Sequence, residues 1–524
     1  MTDVAAAAHR WLVQEVDVDD AAELRALLAE GTPAAVAELA DRFATTLTFG
    51  TAGLRGPLRA GPNGMNRAVV RRAAAGLATW LTAQHHGGQP VVVGYDARHR
   101  SADFARDSAA IFAAAGFDAM LLPGPLPTPV LAFAVQHLHA AAGVMVTASH
   151  NPPRDNGYKV YLADGAQLAP PHDLEIEAAI RAAPAPCDVP LADTYTRLGD
   201  EVGQAYVAAV AALVGPGSRE VRIVHTALHG VGNATLRAVF AAAGFAAPLG
   251  VAQQAEPDAD FPTVAFPNPE EPGALDLALE LAAREAADLV IANDPDADRC
   301  AVALPGPGGR WRMLTGDQVG VLLGDALLRK GVRGTYATTI VSSSLLGEIA
   351  RRYGAGYTET LTGFKWISRA APDLVFGYEE ALGYCVAPHL VRDKDGIATA
   401  LLVAELAAQL RAAGSTIGQR LAQIEAEYGR HETSQVSIRV TDLKVIGALM
   451  ARLRSHPPAS LLGGPVAVDD LLPEADVLRW RGDGLRVVIR PSGTEPKLKA
   501  YLETSGGSDG QMPALREQVQ GLLA

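Results

Sequence analysis

Three aspartates alternate with two other residues in Asp294-Pro295-Asp296-Ala297-Asp298, directly before Arg299. In an extended or looped backbone their carboxylates can converge on one point. Three hard oxygen donors suit magnesium, which favours octahedral oxygen ligands and readily binds phosphate. An Asp-rich solvated turn is the plainer reading of the same residues. A calcium loop of the EF-hand type is disfavoured: counting from Asp294, the sixth position is Arg299 rather than glycine and the twelfth is Pro305 rather than glutamate.

Upstream, Thr147-Ala148-Ser149-His150-Asn151-Pro152 sets a serine among hydroxyl, imidazole and amide groups that all hydrogen-bond well to phosphate. A bare serine hydroxyl is a weak nucleophile. Neighbours in an extended chain point to opposite sides, so adjacency alone does not make His150 the base for Ser149. A triad would also need a carboxylate behind the histidine. Ser149 can instead carry a phosphoryl group at rest and donate it, and the stretch also fits a turn with an N-capping serine.

Two further stretches carry complementary groups. Arg490-Pro491-Ser492-Gly493-Thr494 offers a guanidinium, two hydroxyls and a glycine that lets the backbone approach closely, together a phosphate cradle, with Lys497 extending the positive field. It lacks the spacing of a nucleotide-binding P-loop. Glu379 and Glu380, after Gly377-Tyr378, can accept hydrogen bonds from sugar hydroxyls or pair with a lysine. Thr48 to Gly56 is Gly-rich and holds Arg55 in a turn.

What positions these groups is an alternation of short β-branched runs with Ala- and Leu-rich stretches of helical length, the α/β signature. Val91-Val92-Val93 leads into Ala102 to Ala115, and Val221-Arg222-Ile223-Val224 precedes Ala234 to Ala243. Each loaded loop follows an apolar run: Val144-Met145-Val146, Leu289-Val290-Ile291, Leu374-Val375-Phe376 and Val487-Val488-Ile489. Ligands of open α/β sheets sit at the carboxyl ends of strands. The spacing predicts four domains, 1–200, 201–309, 310–430 and 431–524, each lending one loop to a shared cleft. From Thr433 to Val440 polar and apolar residues alternate, which predicts an antiparallel sheet in the last domain.

The composition of 524 residues, 49% hydrophobic and 20% charged, is that of a globular chain rather than a disordered one. A formal charge of -13 disfavours nonspecific nucleic-acid and membrane association and requires a local basic pocket for any anionic substrate. Cys187, Cys300 and Cys385 are too few and too scattered for a disulfide framework or a zinc site. With no signal-like start and no bilayer-length apolar run, a cytoplasmic location is expected.

Together these segments resemble the α-D-phosphohexomutase superfamily of phosphoglucomutases, phosphomannomutases and phosphopentomutases, over nearly the whole chain and with the four loops in family order. Thr48 to Gly56, Pro267 to Glu271, Thr362-Gly363-Phe364-Lys365 and Asp393-Lys394-Asp395-Gly396 resemble its longer phosphoglucomutase and phosphopentomutase branch. The resemblance implies three related α/β domains with mixed or mainly parallel sheets, plus a smaller α+β C-terminal domain, around a central cleft. It implies that Ser149 is phosphorylated and completes a Mg2+ site with Asp294, Asp296 and Asp298, and that a sugar bisphosphate such as glucose 1,6-bisphosphate is the intermediate and activator.

By the same resemblance, Lys159, His150 and Lys365 are the candidate general bases, and Arg55 stabilises the transferring phosphoryl. As a base, Lys159 would need a depressed pKa. Arg299, Thr362, Gly363, Glu379, Glu380, Lys394, Arg490, Ser492, Gly493, Thr494 and Lys497 are expected to touch small-molecule sugar phosphate. Many hexomutases read Glu-x-Ser in the sugar loop, where this chain has Glu379-Glu380-Ala381. Glucose 1-phosphate to glucose 6-phosphate is the leading expectation. Phosphopentomutase and phosphomannomutase activity are the alternatives, and a noncatalytic phosphosugar-binding protein is the different-class alternative.

Overall fold

The computed structural model describes residues 2–49, 53–440, 443–492, 497–506 and 510–523. They gather into two compact units, Met1–Leu314 with Gly383–Ala413, and Thr315–Leu382 with Gly414–Ala524.

In the first unit, a sheet runs in spatial order Leu54–Pro57, Asp155–Leu162, Ala142–Val146, Pro90–Tyr95, Asp118–Pro125, Thr196–Arg197. Val91, Val92 and Val93 are fully buried, as are Val144, Met145 and Val146. Such continuous apolar runs arise where both sheet faces are covered, here by helices that include Ser101–Ala114 and Thr128–His137. The central strands are parallel. Asp155–Leu162 returns antiparallel, with Lys159 opposite Met145, and Leu54–Pro57 pairs with it, with Arg55 opposite Gly157. Both cations are thereby delivered beside the carboxyl end of Ala142–Val146.

A second sheet in this unit runs Trp311–Met313, Ala301–Pro305, Leu289–Ala292, Ile223–Thr226, Leu249–Gly250. Leu289–Ala292 is parallel to Ile223–Thr226 and antiparallel to Ala301–Pro305, so the three aspartates lie in the connection of a hairpin. Three helices, Thr2–Gln14, Val18–Glu30 and Pro33–Ala44, precede the first sheet and contribute Trp11, Leu24 and Leu39 to its core. Asp17 and Thr32 cap the second and third of these by accepting backbone N–H bonds. The unit is completed by strand Gly383–Cys385 and the buried helix Gly396–Ala412, whose N-cap Asp395 accepts from the N–H groups of Ile397 and Ala398.

The second unit carries parallel strands Gly356–Thr360, Thr335–Thr339 and Leu374–Glu379, with Thr335–Thr339 in the middle. Helix Gly316–Arg329 beside them starts with a capping box between Thr315 and Gln318. Its C-terminal part is an antiparallel sheet in the order His431–Arg439, Lys497–Ser505, Leu485–Pro491, Leu478–Gly482, Ala467–Asp470. Trp480, Val487, Ile489, Leu498 and Ala500 form its core. The alternation from Thr433 is thus an antiparallel strand, and the architecture is α/β with mixed sheets plus an antiparallel C-terminal domain. Among the described residues no single helix is long and apolar enough to cross a membrane.

Candidate active site

The buried strand Ala142–Val146 ends at Thr147, whose Oγ1 accepts the Ser149 N–H at 2.9 Å. Ser149 then takes φ +54°, the left-handed region, and the Asn151 N–H closes the turn on the Ala148 carbonyl at 3.1 Å. For a non-glycine residue this conformation costs about 1–2 kcal/mol, so it persists only where surrounding contacts fix it. Its consequence is geometric: the expected divergence of Ser149 and His150 does not occur. Ser149 Oγ lies 3.2 Å from His150 Nδ1 and donates to Asp294 Oδ2 at 2.8 Å.

The aspartate loop is folded as a turn rather than an extended segment. Ala297 has φ +54° and its N–H bonds the Asp294 carbonyl at 2.8 Å. Asn293 ties the two ends together by donating to the Arg299 carbonyl at 2.7 Å. Gly230 lies against Pro295, where a Cβ would stand 2.3 Å from the Pro295 Cα, and the Val231 N–H bonds the Pro295 carbonyl. The carboxylates of Asp294, Asp296 and Asp298 are all buried and bring one oxygen each within 4.8 Å of one another.

Oδ2 of both Asp296 and Asp298 is well held. Asp296 Oδ2 accepts from Thr128 Oγ1 at 2.6 Å and Lys159 Nζ at 2.7 Å, and Asp298 Oδ2 accepts from Lys159 Nζ at 2.8 Å. Asp296 Oδ1 and Asp298 Oδ1, by contrast, are buried with no hydrogen-bond partner among the described residues. Buried unpaired carboxylate oxygens are costly. Two of them in a triad of hard oxygen donors fit a bound magnesium ion.

Charge is distributed unevenly over the triad. Burial, then the fields of Asp296 and Asp298, push the Asp294 carboxyl well above the ordinary range. Burial also favours a neutral Asp298, but Lys159, Lys394 and Arg299 together outweigh it and hold Asp298 far below that range. Lys159 shows the reciprocal effect. Burial favours its neutral form, and Asp296 and Asp298 overcome this, so its pKa is raised rather than depressed. His150 is pushed well below its usual value by burial, Arg299 and Arg55.

The remaining candidates of this unit gather around the same point. Arg55 donates to Asn151 Oδ1 at 3.1 Å, and Arg299 Nε lies 3.9 Å from both Asp294 Oδ2 and Asp298 Oδ1. Lys394 Nζ is 3.4 Å from Asp298 Oδ2 and 3.7 Å from Asp393 Oδ1. Asp393 is itself fixed by Tyr161 Oη at 2.6 Å and Gln167 Nε2 at 2.8 Å. Close approach of this segment to the metal loop depends on Gly396, where a Cβ would fall 2.2 Å from the Arg299 carbonyl oxygen. Sequence reasoning missed Arg98 and Thr128, and set Asp393 in a family-like stretch without giving it a role. Arg98 had a signal, since Asp96-Ala97-Arg98 follows the apolar strand Pro90–Tyr95 as the other loaded loops follow theirs.

In the second unit, Glu379 ends strand Leu374–Glu379, and Glu380 Oε2 accepts from Thr339 and Ser342 hydroxyls at 3.4 Å. Thr362 and Gly363, the latter at φ +114°, precede the short helix Phe364–Ile367 in which Lys365 is buried. Arg490 sits near the end of strand Leu485–Pro491 and reaches Tyr501 Oη at 3.5 Å. The Ser492 N–H bonds the Lys497 carbonyl. Gly493 and Thr494 lie outside the described residues. Lys499, not singled out in sequence, stands directly across from Arg490 in the sheet, and Lys497, two residues earlier, shares its face.

Known proteins share this arrangement of domains. Family models described as phosphoglucomutase/phosphomannomutase match in series: alpha/beta/alpha domain I over 46–185, domain II over 204–308, domain III over 315–428, and the C-terminal domain over 438–521. A probable phosphomannomutase of Haemophilus influenzae is 48% identical over 456 residues, covering 84% of this chain and 93% of that protein. The human phosphopentomutase is 34% identical over 579 aligned positions, covering 98% and 94%. The crystal structure of a putative phosphomannomutase from Thermus thermophilus superposes with a TM-score of 0.75 at 30% identity, covering 91% of this chain and 99% of that one.

Proposed function

Because the chain belongs to the α-D-phosphohexomutase superfamily, whose members are magnesium-dependent phosphosugar mutases, we propose that it interconverts glucose 1-phosphate and glucose 6-phosphate through a phosphorylated Ser149. The reaction class, intramolecular phosphoryl transfer with net isomerisation, follows from the family. The observation that carries the carrier role is Ser149 Oγ, buried and 2.8 Å from Asp294 Oδ2, beside a triad in which two aspartate oxygens make no hydrogen bond.

In the proposed reaction, a sugar hydroxyl attacks the phosphorus on Ser149. The bond from phosphorus to Oγ breaks as the bond to the sugar oxygen forms, and the hydroxyl proton passes to a base. The resulting sugar bisphosphate turns around and returns its other phosphoryl group to Ser149, releasing the isomeric monophosphate. Magnesium held by Asp294, Asp296 and Asp298 would offset charge on the transferring group.

The chain's own residues divide the remaining work. Arg55, Arg299 and Lys394 present cations to the phosphoryl oxygens, and Lys159 holds Oδ2 of both Asp296 and Asp298. His150, 3.2 Å from Oγ, is placed to exchange the serine proton. Lys365 serves as base for, or anchors, the attacking substrate. Thr362, Gly363, Glu379 and Glu380 bind sugar hydroxyls. Arg490, Ser492, Gly493, Thr494 and Lys497 clamp the phosphate that is not being transferred.

Two relatives favour other sugars, since one is named a probable phosphomannomutase and another a phosphopentomutase. The test is a panel of glucose 1-phosphate, mannose 1-phosphate and ribose 1-phosphate, each with magnesium and the matching bisphosphate. Fastest isomerisation of glucose 1-phosphate supports the reading, and faster turnover of either other sugar replaces it with that mutase. Release of free phosphate as the main product would make the chain a phosphatase. Ser149→Ala should abolish isomerisation and the phosphate adduct seen by peptide mass spectrometry; near-normal rates would remove Ser149 from the carrier role.

A further inference from the structure

The strained turn at Ser149 is held from one side by a single buried guanidinium. Arg98 Nη2 donates to the carbonyl oxygens of Ser149 at 2.6 Å and Asn151 at 2.5 Å, and Nη1 to those of Pro152 at 2.8 Å and Asp155 at 3.2 Å. One side chain therefore bonds four carbonyls along the loop, from the nucleophile to the first residue of the strand that carries Lys159. Charge-assisted bonds of this kind are about twice as strong as neutral ones, and the planar fork fixes direction as well as distance.

Arg98 is itself held rigidly. Its N–H donates to Asp96 Oδ1 at 3.0 Å and its Nε lies 3.4 Å from Asp96 Oδ2. Ser101 Oγ donates to the same Asp96 Oδ1 at 2.7 Å. The guanidinium stacks over Phe261, 4.9 Å from the ring centre, and the next residue, His99, bonds Asp260 at 2.7 Å. Phe261 and Asp260 belong to the same stretch of chain as the metal loop's sheet, within the 204–308 match. Arg98 thus ties the serine loop to the part of the unit that carries the aspartates.

We infer that Arg98 is a positioning residue for phosphoryl transfer: by bonding the Ser149 carbonyl it holds the left-handed turn that aims Oγ at Asp294. It touches neither substrate nor the reacting oxygen. The inference rests on Ser149 being the carrier. Removing the fork frees the loop to relax toward ordinary φ, which swings Oγ away from the triad. A displacement of about 1 Å in a reacting group lowers rates by about 100-fold.

The test uses the full chain as wild type, Arg98→Met, Arg98→Lys and Asp96→Asn, each first phosphorylated with glucose 1,6-bisphosphate and counted by intact mass. Single-turnover transfer and steady-state kcat and KM are then measured per folded, phosphorylated molecule. Arg98→Met should lose about 100-fold in kcat with KM for the sugar phosphate changed by less than about threefold. Asp96→Asn, which leaves the fork present but loosens it, should lose less, and Arg98→Lys should fall between Met and wild type. A further variant, Arg98→Ala, should lose kcat as Arg98→Met does and regain part of it with added guanidinium ion at unchanged melting temperature, which a loss of fold stability would not allow.

Rates within about threefold of wild type in a folded Arg98→Met overturn the inference, as does a loss confined to KM. If Arg98→Met does not fold, an Arg98→Lys or Asp96→Asn protein that is folded and transfers at the wild-type rate overturns it equally. A wild type that isomerises its sugar with phosphate on Ser149 while the variants match it refutes this inference alone. A wild type that never carries phosphate on Ser149 refutes both it and the carrier reading.

Discussion

Replacing Thr128 by valine isolates one hydrogen bond to the triad. Thr128 Oγ1 donates to Asp296 Oδ2 at 2.6 Å, and the Thr128 N–H bonds the Asp296 carbonyl at 2.9 Å. Valine keeps the shape and the backbone bond and deletes only the hydroxyl. A bond from a neutral donor to a carboxylate contributes about 1.5–3 kcal/mol, and each 1.4 kcal/mol is about tenfold in an equilibrium constant. Thr128 and Lys159 together occupy Oδ2 and leave Oδ1 without a hydrogen bond. Without Thr128 the carboxylate can rotate, and cation affinity should fall by about 10- to 100-fold, the usual range for a group behind a metal ligand. Lys159 remains in place, which sets the expectation at the lower end. Manganese titration by electron paramagnetic resonance measures binding directly, the magnesium concentration for half-maximal turnover gives a second reading, and thermal unfolding checks the fold. A folded Thr128→Val chain with cation affinity within about twofold of wild type would refute the role given to Oδ2 and Oδ1.

Arg490→Ala should raise KM for sugar phosphate by more than it lowers kcat, by about tenfold or more for a lost charge-assisted contact, as read from steady-state kinetics. Gly396→Ala should destabilise the first unit by about 1–3 kcal/mol in urea unfolding and reduce turnover, because the new Cβ meets the Arg299 carbonyl at 2.2 Å. Burial raises Asp395 from 3.8 to about 6 against its bonds from Ala398, Tyr206 and Ile397. A pKa raised on folding means that its stabilising share is complete below 3.8 and lost as pH rises through about 6. Asparagine keeps the cap without the charge, so Asp395→Asn should gain on wild type by about 3 kcal/mol between acid and neutral pH. A stability gap that does not change with pH would contradict this.

The fold was legible where pattern follows from period. Uninterrupted runs such as Val91-Val92-Val93 and Val144-Met145-Val146 became strands with both faces buried, and the alternation after Thr433 became an antiparallel strand. The site was legible where chemistry is concentrated in sequence. The three aspartates do converge, and of the extended and looped forms the spacing allows it is the looped one. A turn with Ala297 at positive φ and Gly230 packed beneath Pro295 brings them together, and neither can be read from an Asp-x-Asp-x-Asp string. The approach of His150 to Ser149 was likewise hidden, because it depends on one residue leaving the extended region that the adjacency rule assumes. Arg98, Thr128 and Asp393 act across long sequence separations on backbone or on other side chains. Such contacts leave little local signature beyond the strand-end position of Arg98.

Charge shows the same separation of local from global. The chain as a whole carries -13, which argues against binding anions. Yet around the aspartate triad the first unit sets Arg55, Lys159, Arg299 and Lys394, four cations against three carboxylates, with Asp393 behind Lys394. Without a metal ion those cations balance the triad, and Lys159 is drawn onto it strongly enough to keep its proton despite burial. A divalent cation on the triad would take over that balancing and leave the surrounding Arg and Lys charges to the phosphate that the proposed reaction brings. The acidic surface outside does not weaken this field, because charges separated by more than about 10 Å of salt solution are largely screened while buried pairs are not. Under the proposed function, metal and phosphate would therefore support each other electrostatically: with the metal absent, phosphate would compete with the aspartates for the same cations.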